Sequence, residues 1–88
     1  VSGWWVRNGG KSMARAYLRV WVESGHEDAV RMGLLETAGV SAADLTAGDQ
    51  DIMAVVEADT YEDLLQIVLG QVRTMKGVQR TVTSLAVG

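Results

Sequence analysis

A chain of 88 residues forms one domain and buries only a little over half of its unfolded surface, so its stability calls for outside help. Without cysteine and with a single histidine, His26, it excludes disulfides and any thiolate or multi-histidine metal site, and self-association is the help that remains. A net charge of −3 with eight scattered basic residues excludes the basic face of a direct nucleic-acid binder, and no apolar run reaches the ~20 residues that cross a bilayer.

The first stretch, residues 1–13, combines Trp4 and Trp5 with Asn8, Gly9, Gly10, Lys11 and Ser12 and has neither helical nor strand periodicity. It reads as a tail: a native extension, a cloning remnant, or an upstream start with Met13 as a second candidate initiator. Gly10-Lys11-Ser12 resembles the end of a phosphate-binding loop, but Trp5 stands where that loop needs glycine, and a flexible joint is the better reading. The domain proper is expected over residues 14–88.

From Ala14 to Val22 the pattern alternates, with Ala16, Leu18, Val20 and Val22 on one face of a strand and Tyr17, Arg19 and Trp21 on the other. Ser24 and Glu27 form an S-x-x-E start for a helix in which Ala29, Val30, Gly33 and Leu34 recur, ending near Gly39. A second strand is expected from Val40 to about Thr46. A third, Asp51 to Glu57, is almost continuously apolar and predicts a central strand buried on both faces. Asp59 and Glu62 open a second helix whose stripe comprises Tyr61, Leu64, Leu65, Val68, Leu69 and Val72. Lys76-Gly77 closes it, and Val78 to Val87 alternates as a last strand.

Gly39-Val40 and Gly77-Val78, 38 residues apart, both sit where a helix hands over to a strand. Two β-α-β units in succession predict an α+β, ferredoxin-like βαββαβ sandwich: a four-stranded antiparallel sheet with both helices on one face. The other face then carries Tyr17, Arg19 and Trp21. Leaving it in water costs about 25 cal/mol per Å² of apolar surface, so a second copy packed sheet to sheet is expected, forming a dimeric α+β barrel.

Three motifs stand in order along the chain: Val22-Glu23-Ser24-Gly25-His26-Glu27 before the first helix, Thr46-Ala47-Gly48-Asp49-Gln50-Asp51-Ile52-Met53 leading into the third strand, and Gly77-Val78-Gln79-Arg80-Thr81-Val82-Thr83 in the last. Together they resemble the effector-binding domain of the Lrp/AsnC transcription regulators. That resemblance implies dimers that assemble further into octamers or similar rings, with small effectors, commonly amino acids, bound between dimers. It departs from the family pattern in showing no helix-turn-helix, so a stand-alone sensor is expected, or an adaptor that co-assembles with a full-length regulator.

The resemblance points to Gly48, Asp49, Gln50 and Asp51 as the hairpin lining the effector pocket, with a carboxylate that pairs with a ligand ammonium, although glycine and aspartate are also ordinary turn residues. Thr81 and Thr83 match threonines whose hydroxyls would bond a ligand, although threonine is also a good strand residue. Tyr17, Arg19 and Trp21 are the expected dimer interface. No catalytic set, cofactor or metal site is expected, and a cytoplasmic location fits the missing cysteines and signal peptide. The alternative is a dimeric cofactor-free monooxygenase of the same fold, which would need a cavity lined by Tyr17, Trp21 and His26.

Overall fold

A computed structural model of the chain describes residues 14–87, so the expected tail over residues 1–13 lies outside the described residues. The elements are β1 (Ala14–Val22), α1 (Glu27–Glu36), β2 (Val40–Leu45), β3 (Ile52–Ala58), α2 (Tyr61–Ile67), continued by a π-helical turn (Val68–Val72), and β4 (Val78–Leu85). The strands form one antiparallel sheet in the order β2-β3-β1-β4, as the βαββαβ reading requires.

The alternation of β1 becomes a two-faced strand. Ala14, Ala16, Leu18, Val20 and Val22 are buried and meet Ile52, Ala54, Val56 and Ala58 of β3 under the helices. Val30 and Leu34 of α1 and Leu64, Val68 and Val72 of α2 and its π turn complete this core. Strand β3 departs from expectation. It is central, but its burial alternates: Met53, Val55 and Glu57 are only half-buried, because among the described residues helices lie on one side of the sheet alone.

Both helix starts differ by a residue or two from the sequence reading. Helix α1 begins at Glu27 after His26, which makes no side-chain cap; Glu27 instead reaches back to accept from the Gly25 N–H at 3.0 Å, so Ser24 does not cap the helix. Helix α2 is capped by Thr60, whose hydroxyl accepts from the Asp63 N–H at 3.1 Å, rather than by Asp59.

The expected six-residue stripe of α2 divides. Leu64, Val68 and Val72 face the sheet, whereas Leu65 is 40% and Leu69 52% exposed. Residues four apart drift around an ideal α-helix; the wider π turn, closed by the Arg73 N–H donating to the Val68 carbonyl at 2.9 Å, keeps these three in line. Leu65 and Leu69 are thereby left on the flank beside β4.

The internal repeat is structural as well as sequential. Gly39 and Gly77 both adopt φ of +97°, and each packs against the helix of the other repeat. A Cβ on Gly39 would stand 2.6 Å from Ile67 Cδ1; one on Gly77 would stand 2.9 Å from His26 Cβ and 3.0 Å from Val30 Cγ2. Their carbonyls accept from Glu57 and Glu23 N–H groups at 2.7 and 2.8 Å, tying each helix end to a strand end. Among the described residues no helix is long and apolar enough to cross a membrane.

Candidate functional site

The β2–β3 hairpin is built around Asp51. Its carboxylate accepts from the Val22 N–H at 2.8 Å, and its own N–H donates to the Val20 carbonyl at 3.0 Å. Thr46 closes the loop: its N–H donates to the Asp51 carbonyl and its hydroxyl to the Gln50 carbonyl, both at 2.9 Å. Asp51 thus joins the hairpin to the end of β1, where the β1–β4 register shifts at Trp21/Val22 and a backbone N–H needs an acceptor. Gly48 and Asp49 are exposed at the tip, and Gln50 is half-buried. Asp51→Ala is expected to destabilise the domain by about 1–3 kcal/mol, because it orphans the Val22 donor. Chemical denaturation measures it, and Asp51→Asn, which retains an acceptor oxygen, should recover part of the loss.

Thr81 and Thr83 lie elsewhere. They pair with Val20 and Leu18 across β1 and β4, which places them on the helix side of the sheet, half-buried. Because β4 is an edge strand and α2 covers it incompletely, a cleft of about 480 Å³ opens there. Leu65, Val68, Leu69 and Arg73 form one wall; Val78, Gln79, Arg80, Thr81 and Thr83 form the other. It offers two hydroxyls and a guanidinium beside leucine side chains, a combination suited to a carboxylate carrying an apolar group.

Val20 pairs with Ile52 on one side and Thr81 on the other, so the hairpin and the cleft share one end of the sheet. They do not share a pocket: none of Gly48, Asp49, Gln50 or Asp51 lines the cleft. No sequence motif marks Arg73, Leu65 and Leu69 as ligand-facing, since their place depends on how α2 is rotated. Leu65 and Leu69 also border a shallow apolar hollow with Gly70.

The open face carries Tyr17, Arg19 and Trp21 of β1, Met53 and Val55 of β3, and Arg80, Val82 and Ser84 of β4, each opposite its register partner. Two guanidinium groups lie over the Trp21 ring, Arg80 at 4.6 Å and Arg19 at 5.2 Å from its centroid. At the far end Arg15 donates to Glu57 at 3.3 Å and to the Tyr17 hydroxyl at 3.4 Å. His26 belongs to the other side, packed beneath Gly77, with its Nδ1 buried and unpartnered among the described residues. Tyr17, Trp21 and His26 therefore do not converge on the common cavity that a monooxygenase would need.

The family model described as the Lrp/AsnC ligand binding domain matches residues 15–88. Among solved structures, FFRP-DM1 is 31% identical with a TM-score of 0.81, the match covering 84% of this chain and 99% of that one. The hypothetical protein PHS023 of Pyrococcus horikoshii is also 31% identical, with a TM-score of 0.80 and coverage of 84% and 89%. The transcriptional regulator NMB0573 of Neisseria meningitidis, solved as a complex with L-methionine, shares the fold at 16% identity and a TM-score of 0.74; the match covers 85% of this chain and 50% of that regulator. No curated protein matches the chain.

Proposed function

This chain belongs to the Lrp/AsnC ligand-binding-domain family, and on that premise we propose that it is a non-enzymatic sensing and assembly domain of transcription regulation that binds a small amino-acid-like effector. The observation that carries the reading is the cleft between α2 and β4. The Arg73 guanidinium and the Thr81 and Thr83 hydroxyls suit the carboxylate of an amino acid, and Leu65 and Leu69 suit an apolar side chain. The L-methionine complex of the Neisseria meningitidis regulator makes methionine a natural first probe. Two protomers join through their open sheet faces. Further assembly of such dimers brings the hairpin of one, with Gly48, Asp49, Gln50 and Asp51, to the cleft of another, supplying the ammonium partner that a single chain keeps apart. Among the described residues there is no helix-turn-helix, and DNA contact belongs to a co-assembling regulator or to chain beyond them.

Calorimetry against a panel of amino acids tests the proposal. Binding of at least one of them is expected, with the Thr81→Ala/Thr83→Ala double variant weakened about tenfold or more, since each hydrogen bond to a charged group contributes about 1.5–3 kcal/mol. A panel that produces no heat and no shift in melting temperature would remove the effector and leave the assembly role alone.

A further inference from the structure

On the open face the charges are unevenly divided. Arg19 and Arg80 flank one indole at 5.2 and 4.6 Å, two cations on one ring, with no carboxylate against either among the described residues. Glu57 is engaged with Arg15 at the other end of β1. Among the described residues the remaining carboxylate of this face is Asp44, exposed on edge strand β2. It stands opposite Met53, which in turn stands opposite Arg19, so Asp44, Met53, Arg19 and Val82 form one row across the sheet. Arg31, near the β2 edge, is committed to the Ala43 carbonyl at 3.0 Å. One edge of the face is therefore acidic and the opposite half basic.

Two identical sheets packed face to face are related by a two-fold axis lying between them. An axis across the strands sets the arginine-bearing β1–β4 half on the same half of the other copy. An axis along the strands sets β2 of one copy over β4 of the other within the same row, so Asp44 comes over Val82, beside Arg19 and one row from Arg80 and Trp21. We propose that the second copy docks in this latter arrangement, with Asp44 of each protomer meeting the Arg80–Trp21–Arg19 cluster of its partner, and that this pairing selects the dimer's geometry. The inference rests on the reading that the open face is covered by a second copy. Each contact occurs twice in the dimer, so a single reversal disturbs two of them.

The test is a charge exchange followed by light scattering and analytical ultracentrifugation. Arg80→Glu and Asp44→Lys, each alone, should weaken the dimer about tenfold or more, because each sets like charges together at both contacts. Mixing the two single variants should restore a dimer of near wild-type affinity. That heterodimer holds one original contact and one inverted contact, both attractive, and the Asp44→Lys/Arg80→Glu double variant should self-associate likewise. Recovery on mixing also demonstrates that each variant is folded. If both single variants dimerise like the wild type, or neither mixing nor the double variant restores affinity, the pairing is wrong although the dimer stands. If the wild type itself is monomeric at all accessible concentrations, the underlying reading of the open face falls too.

Discussion

Trp21→Glu should convert the assembled protein into separate protomers. Trp21 stands at the end of the open face with the Arg19 and Arg80 guanidinium groups over its ring, on the same strand face as Tyr17, which is 40% exposed in the lone chain. Pre-ordered aromatics of this kind anchor interfaces, because they bring large contact area without much loss of rotamer freedom. A buried tryptophan anchor contributes about 2 kcal/mol or more; a two-fold interface contains it twice, so losing about 4 kcal/mol corresponds to a roughly thousandfold weaker dimer. Glutamate adds a desolvation cost to that loss. Its carboxylate lies within reach of the two arginines of its own chain, so the isolated protomer keeps a satisfied surface. Light scattering over a concentration series should report half the mass, with the far-ultraviolet dichroism of the fold retained. An unchanged mass would show that the open face is not the interface.

Gly77→Val should be the most damaging single change within the protomer. Left-handed backbone at a residue other than glycine costs about 1–3 kcal/mol. Here the new Cβ also meets His26 Cβ at 2.9 Å and Val30 Cγ2 at 3.0 Å, and Val30 is a fully buried member of the core. Valine adds two methyl groups to that collision, and forcing extra carbons into a packed site costs a further ~1–3 kcal/mol. The total approaches the whole stability of a small domain, about 5 kcal/mol at the low end. Gly25→Ala supplies the contrast: Gly25 has φ of +91° but nothing within 4 Å of its Cβ position, so only the backbone strain is felt. Urea denaturation should place Gly25→Ala about 1 kcal/mol below the wild type and Gly77→Val close to unfolded. Comparable midpoints for the two would mean that the packing of each repeat's glycine under the opposite helix is unimportant.

The candidate site was partly legible in the sequence. Thr81 and Thr83 stand in a motif, and the structure places them in a cleft. Their partners Arg73, Leu65 and Leu69 carry no comparable signal, because the apolar stripe of α2 is wide enough to be seated in more than one rotation. The hairpin motif points to Asp51 as a ligand carboxylate, and the structure gives it a backbone partner, Val22, 29 residues away. That contact arises only once β1 and β3 are in register. The same holds for Arg80, which reaches Trp21 because Trp21 and Arg80 are opposed across β1 and β4.

Sequence alone determined the number, order and type of the elements, the buried face of β1, and the two helix-to-strand glycines. These are written in local periodicity and in the one residue type that tolerates a positive φ, so no distant partner is needed to read them. Only the tertiary structure decided which leucines of α2 turn inward, why the third strand is buried on one side in a single protomer, and which distant side chains meet across the sheet. Strand register and helix rotation follow from how residues remote in the chain pack against one another, and the spacing along a segment does not specify its neighbours.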